Sequence, residues 1–313
     1  MKQENLLDHA ALREWQAEVF SYQKSGNSFI LQTSCGSRRL FICEKEKQAL
    51  NVQRIAEHLT ANGFLCIPRP VKNRFGEFIV PAYNGYYYIT DAFCGESLAY
   101  ESEEECIKAA AFLGAFHKAA KGFAADKMPS LSFAGQKIAL RLLQLQSFAC
   151  ISLQTEELFS YLLQSCAEAL TSFSPQKEAK LQKLYRRGGG FNLGGQTELL
   201  CIENETLFIR DLSSCKAGGG ICDLSEILLK IAAKENYLGH NSLQALKAYN
   251  RENKLEREEL DLLLAVLLLP AVPLGILNKY LRGEYQQTVM LEKFSAACEE
   301  EKLKNRWVKR LLL

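Results

Sequence analysis

A chain of 313 residues, 48% hydrophobic and 24% charged, has the composition of an ordinary folded protein with one large core or two smaller ones, and not that of a disordered one. Its formal net charge of +2 carries no basic excess, so neither nucleic acid nor an acidic membrane is expected as a partner. The polar start, MKQENLLDHAALREW, has no apolar signal-peptide core, and the longest apolar run, Leu262 to Leu277, is broken by Pro270 and Pro273 and falls short of the ~20 residues of a spanning helix. Eleven cysteines are scattered without a C-x-x-C, and the histidines at 9, 58, 117 and 240 have no metal-like spacing. Reduced thiols in a cytoplasm are expected, most of them small buried hydrophobes.

In chain order, residues 2–20 carry apolar positions at helical spacing: Leu6, Leu7, Ala10, Ala11, Trp15 and Phe20. Strands follow at Ser28 to Thr33 and Leu40 to Cys43, with turn compositions at Lys24 to Asn27 and Ser34 to Ser37. The single Gly of the first turn lacks the pattern of a phosphate-binding loop and reads as a plain turn. Lys45 to Asn62 reads as a helix with Leu50, Ile55, Ala56 and Leu59 on one side and Gly63 closing it. Phe64 to Ile67, Glu77 to Pro81 and Tyr86 to Thr90 are further strands. Residues 1–92 thus form a β-rich lobe with one inserted helix.

From residue 93 helices dominate, making 93–313 the second lobe. They are predicted at Glu103 to Lys121, Gly135 to Ile151, Glu156 to Phe173, Leu224 to Lys234, Ser242 to Tyr249, Glu258 to Leu269, Leu274 to Leu281 and Met290 to Leu303. His117 reads as a packed helical histidine. Ser174-Pro175 reads as a break, and the charged run after Glu299 as a solvated helical tail. Between the helices lies KLYRRGGGFNLGGQTELLCIENETLFIRDLSSCKAGGGICDLSEILLK, from Lys183 to Lys230. It reads as loop, strand (Leu199 to Ile202), turn (Glu203 to Glu205), strand (Leu207 to Ile209), loop and helix, with Asp223 placed to cap the helix. Asp211 stands at the end of the return strand, where kinase-like folds hold a nucleotide's metal. A β lobe, a connector and a helical lobe carrying such a hairpin predict an α+β, bilobal, protein-kinase-like fold.

Specific words narrow this. GFLCIPRP (63–70), GEFIVPAYNGYYYITDAFCGESL (76–98), AAAFLGAFHKAAKGF (109–123) and IRDLSSCKAGGGICDLSEILLK (209–230) resemble, in order and spacing, the CotS-type spore coat proteins. These are kinase-like proteins related to the aminoglycoside phosphotransferase and choline kinase superfamily. The resemblance implies a catalytic His-Gly-Asp within Gly188 to Leu193, but that loop holds neither His nor Asp. It implies a metal-binding Asn, but Asn192 lies too early and the spacing lands near Glu198. It implies a phosphate-binding lysine at the end of the third strand, but Leu40 to Cys43 ends without one, and Lys45 and Lys47 are not assigned the role. Asp211 matches the metal-binding Asp, preceded by Arg210 where the family has an apolar residue.

Glycine accepts no proton and ligates no metal through a side chain, and losing a positioned base costs ~10²–10⁴ in rate. The glycines also predict a flexible loop. The chain is therefore expected to be a degenerate family member and a pseudokinase, not an enzyme, acting as a structural or assembly component of the spore coat. No catalytic or cofactor-binding residue is assigned, Asp211 is a vestigial metal ligand, and ATP and Mg2+ are not expected. Other spore coat proteins are the expected partners, with synthesis in the mother-cell cytoplasm and then residence in the coat. The alternative is a nucleotide-binding sensor, or a small-molecule phosphotransferase with a rearranged site using Glu198 or Asp211.

Overall fold

Alternation of apolar side chains builds the first sheet. In the computed structural model, which describes residues 14–26, 28–82, 85–124, 156–172 and 174–312, strands β1 (Val19–Ser25), β2 (Ser28–Thr33), β3 (Gly36–Cys43), β4 (Ile79–Ala82) and β5 (Gly85–Asp91) form an antiparallel sheet in the order β1-β2-β3-β5-β4. Successive side chains point to opposite faces. Leu31, Leu40, Val80, Tyr87 and Ile89 therefore share one face, where they form a core with Trp15. Full burial of each large apolar side chain contributes about 1.5–3 kcal/mol. The opposite face carries Arg39, Phe41 and Cys43 of β3 beside Thr90, Tyr88 and Tyr86 of β5. Phe41 and Tyr88 stack at 4.8 Å.

Three sequence expectations fail here. Residues 1–13 lie outside the described residues, but Phe20 belongs to β1 and not to a helix. The pairing of β1 with β2 overrides the helical spacing, and Phe20, at the register shift between Val19 and Ser21, is left 62% exposed. Phe64 to Ile67 is not a strand: Phe64 and Ile67 are buried, so their apolar character records packing and not a ladder. Helix α1 (Glu46–Ala61) forms as predicted, but its buried stripe is Ala49, Val52, Ile55, Ala56 and Leu59, with Leu50 left outside. Gly63 follows it at φ +80°.

The chain divides into two units. The first comprises Met1–Ala99, Ala115–Pro129 and Gly189–Ala217, and the second Tyr100–Gly114, Ser130–Gly188 and Gly218–Leu313. Besides the large sheet, the first unit holds β6 (Glu96–Ser97), β7 (Phe191–Asn192), β8 (Leu200–Glu203), β9 (Thr206–Ile209) and β10 (Lys216–Ala217). β8 pairs with β6 and β9, and β7 with β10.

Helix α2 (Glu103–Ala120) precedes the helices of the second unit: α3 (Glu156–Ser172), α4 (Pro175–Gly188), α5 (Ile221–Lys234), α6 (Asn241–Glu252), α7 (Arg257–Leu268), α8 (Ala271–Leu281) and α9 (Gln287–Leu312). The helix predicted at 135–151 lies outside the described residues. Helix α4 covers residues given no assignment and, from Lys183, residues expected to be loop. Ser174-Pro175 starts it: the Ser174 Oγ accepts the Lys177 N–H at 3.4 Å, and proline fits a first helical position. Helix α7 packs against α3, α4, α5 and α9. Its capping box joins Glu256 and Glu259, and Glu259 also accepts the Tyr185 hydroxyl at 3.0 Å. Among the described residues no single helix is long and apolar enough to cross a membrane; α7 and α8 together pass that test by composition but are bent by 50°.

The charged end of the chain is not a solvated tail. α9 continues to Leu312 and buries Trp307 and Val308. It also buries Glu301 and Lys304, an ion pair in which the Lys304 Nζ donates to the Leu269 carbonyl at 2.8 Å. Burial raises the Glu301 carboxyl above its usual range and lowers the Lys304 ammonium. Lys304→Met leaves an unpaired buried carboxylate and should cost about 3–5 kcal/mol in chemical denaturation. The double variant Glu301→Leu/Lys304→Met should recover most of that loss.

Candidate functional site

The end of β9 is a knot of hydrogen bonds within the first unit. Asn204 and Glu205, both at positive φ, make the tight turn that returns β8 into β9. The Ile209 N–H donates to the Cys66 carbonyl at 3.0 Å, and the Arg210 N–H to the Leu199 carbonyl at 2.8 Å. The Arg210 guanidinium donates to the Gly95 carbonyl, to the Ser97 Oγ at 3.0 Å and to the Glu198 carbonyl at 3.4 Å. A charged residue where the resemblance implies an apolar one therefore ties together the connector, the loop and the strand end.

Arg39 reaches the same point from β3. Its Nη1 donates to the Arg210 carbonyl and its Nη2 to the Ser25 Oγ, each at 3.2 Å. Its Nε is buried and has no hydrogen-bond partner among the described residues. Asp211 follows: its carboxylate accepts the Ser213 N–H at 2.7 Å and the Ser213 hydroxyl at 2.8 Å. Burial drives the Tyr88 phenol well above its ordinary range; the charges of Asp211 and Cys43 push the same way, and Arg39 opposes them. Arg39, Cys43, Tyr88 and Asp211 thus share one electrostatic neighbourhood. Cys43, at the strand end where a lysine was sought, gives its thiol to the Tyr86 carbonyl at 3.5 Å, and burial raises it.

The glycine loop is pinned, which corrects the expectation of flexibility. Gly189 has φ +63°, and a Cβ there would press into the Phe123 carbonyl. The Gly190 N–H donates to that carbonyl at 3.2 Å. Phe191 is buried, with edge contacts to the rings of His58, Phe116 and Phe123. Asn192 and Leu193 are fully buried, and the Asn192 Oδ1 accepts the Gly194 N–H at 2.8 Å. Gly194 and Gly195 have φ +73° and +79°. The Lys216 stem lies over Gly194, its Cε 3.3 Å from where a Cβ would stand.

Other sequence candidates fall elsewhere. Glu198 is exposed on a 3-10 turn (Thr197–Leu199), and Lys45 and Lys47 are exposed around the start of α1. His117 is buried on α2, as expected of a packed histidine. Asp223 does not cap α5: the helix starts two residues earlier, with Gly220 at the cap, and Asp223 is fully buried in its first turn. Arg39 was missed. Its signal was a pair of arginines inside an apolar strand, of which Arg38 goes to Asp91 at 2.6 Å and Arg39 to the site.

Among the described residues no three His, Cys, Asp or Glu side chains gather into a metal-binding group. Asp211 is a single carboxylate with two of its acceptor positions used by Ser213. That set suits an ion arriving on a nucleotide's phosphates, and does not suit a metal centre held by protein alone.

No family model matches the chain, and no curated protein matches it. Solved structures do. An aminoglycoside phosphotransferase from Alicyclobacillus acidocaldarius matches with a TM-score of 0.81 at 16% identity, over 96% of this chain and 93% of that one. The amicoumacin kinase hAmiN, in complex with AMP-PNP, Ca2+ and Ami, matches at 0.56 and 14% identity, over 91% and 88%. A choline/ethanolamine kinase family protein from Mesorhizobium loti matches at 0.52 and 12% identity, over 97% of each chain. The chain therefore has the kinase-like fold of aminoglycoside phosphotransferases and choline kinases, with an antiparallel β-rich N-terminal part and a helical C-terminal part, as predicted.

The prediction of a non-enzyme is corrected by these likenesses. The fold is one that phosphotransferases and kinases use, and the loop on which the prediction leaned is rigidly held. The expectation of no cofactor is weakened with it, since nucleotide and Ca2+ are bound in the hAmiN structure.

The packing of the loop gives a direct check. Gly189→Ala adds a left-handed strain of about 1–2 kcal/mol and a backbone clash. It should lower the unfolding free energy by at least ~2 kcal/mol. Gly188→Ala meets no atom of the described residues within 4 Å and should stay within about 0.5 kcal/mol.

Proposed function

We propose that this chain binds a nucleoside triphosphate and transfers its terminal phosphoryl group to a small molecule, from a site rearranged around Arg39 and Asp211. The observation that carries this reading is Arg39: a guanidinium whose buried Nε has no partner among the described residues, bonded to the backbone immediately before Asp211. Phosphoryl transfer depends mainly on positioning and on charge stabilisation. A guanidinium offers planar donors that match phosphate oxygens. Arg39 would hold a phosphate from β3, where the resemblance implies a lysine. Asp211 would hold a divalent ion carried by the phosphates, and that ion would neutralise their charge. Ser213 fixes the Asp211 carboxylate before any ligand arrives. Phe93 of the connector and Phe208 of β9 stack at 4.2 Å and offer a flat apolar surface to a base.

A place in the spore coat, with other coat proteins as partners, is a second reading. It is supported by the sequence words at 63–98, 109–123 and 209–230.

Thermal unfolding with and without ATP, in Mg2+, Mn2+ or EDTA, tests the first reading. Ligand at a hundred times its dissociation constant stabilises by about 2.7 kcal/mol, a shift of several degrees. The shift should require the divalent ion and should vanish in Arg39→Met and Asp211→Asn. No shift under any condition would remove the nucleotide site from the protein.

A further inference from the structure

We infer that the phosphoacceptor is an oxyanion, a carboxylate or phosphate group, steadied by Lys216 beside the loop at 191–195. The inference rests on the phosphotransferase reading above and names its substrate class.

An alcohol acceptor must lose a proton as it attacks, and enzymes place a base to take it. The loop of this chain has no group for that task. Residues 188–197 contain no Asp, Glu or His. Its polar side chain at the centre, Asn192, is fully buried and spends its Oδ1 on the Gly194 N–H. The histidine in ring contact with Phe191, His58, has its Nε2 3.0 Å from both the Lys121 carbonyl and the Asn62 amide nitrogen, donating to the first when protonated or accepting from the second when not. Glu198 lies past the loop, exposed on its 3-10 turn. Asp211 is tied by Ser213.

A cation takes the place of the absent base. β10 pairs Lys216 with Asn192, and the Lys216 stem crosses Gly194 within contact distance. A side chain at Gly194 would sit tightly against the Ser214 carbonyl and the Lys216 stem, and φ +73° disfavours one in any case. An ammonium beside a loop without a base is poorly suited to activate a hydroxyl and well suited to hold an anion. The chemistry balances without proton removal. A lone pair on the acceptor oxygen forms the new bond to the terminal phosphorus. The bond from that phosphorus to the bridging oxygen breaks, and its electron pair leaves on the nucleoside diphosphate. The product is an acyl phosphate from a carboxylate, or a phosphoanhydride from a phosphate.

The test uses the full chain with ATP and MgCl2. Acetate, glutamate and inorganic phosphate are compared with choline and kanamycin by release of ADP. Hydroxylamine trapping identifies an acyl phosphate, and pyrophosphate detection identifies the phosphate arm. ADP release dependent on an anionic acceptor supports the inference. Lys216→Met should then lower kcat/KM for that acceptor roughly tenfold to a hundredfold, mainly through KM. Lys216→Arg should restore most of it. An unchanged kcat/KM in folded Lys216→Met overturns the role of Lys216. Transfer to choline or kanamycin that is lost in Glu198→Gln overturns the inference and leaves the phosphotransferase reading standing. Nucleotide binding with no response to any anionic acceptor also overturns it. Absence of nucleotide binding overturns the phosphotransferase reading itself, and this inference with it.

Discussion

The carbonyl of Arg210 receives the Arg39 guanidinium, and the order of the first unit around Asp211 depends on that bond. It joins β3 of the large sheet to the end of β9. The Ile209 and Arg210 N–H groups are already committed to Cys66 and Leu199, so the strand end cannot shift without losing several hydrogen bonds together. Each such bond contributes about 0.5–1.5 kcal/mol net, and those to charged groups about 1.5–3. Arg210 adds a second guanidinium that satisfies carbonyls of the connector and the loop. Asp211 therefore stands on backbone held from three directions, and Ser213 holds its carboxylate.

The loop before this strand is held by apolar packing instead. Phe191 enters a group of rings from α1, α2 and the segment after α2. Edge-on aromatic pairs of this kind contribute about 0.5–1.5 kcal/mol each beyond the area they bury. The glycines serve this packing. At Gly189 the backbone of Phe123 comes too close for a side chain, and at Gly194 the left-handed φ of +73° disfavours one. Close approach and left-handed backbone explain glycine at these positions better than flexibility does.

Elements with a strong period were legible in the sequence. The strands at 28–33 and 40–43 and the helix at 45–62 were anticipated because their apolar faces match the strand and helix repeats. Phe20 and the segment 64–67 misled because an apolar residue looks the same in a ladder, a helix or a packed loop. Helix α4 was hidden because Ser174-Pro175 serves equally as a stop and as a start, and only the following chain decides. The buried ion pair on α9 was hidden inside a run of charges whose members differ in burial and not in type. Asp211 was visible because it ends a hairpin. Arg39 was not, since strand alternation says that one of two adjacent arginines faces each side, without saying which side holds the chemistry.

Sequence motifs and electrostatic machinery are separable here, and that separation explains why the absent His and Asp misdirected the functional reading. A motif records one solution to two tasks: removing a proton and stabilising phosphate charge. The loop at 188–197 contains no residue for the first task. Under the proposed reading the second task falls to Arg39, Lys216 and Asp211, which lie on strands and turns outside that motif. Electrostatic stabilisation is usually the larger contribution to catalysis, and it requires groups positioned before the reaction begins. A fold that keeps such groups on hydrogen-bonded backbone can dispense with a proton acceptor when its acceptor oxygen carries no proton. Under the proposed reading, competence rests on the placement of charge, and the lack of a base in the loop narrows the acceptors to those whose oxygen carries no proton.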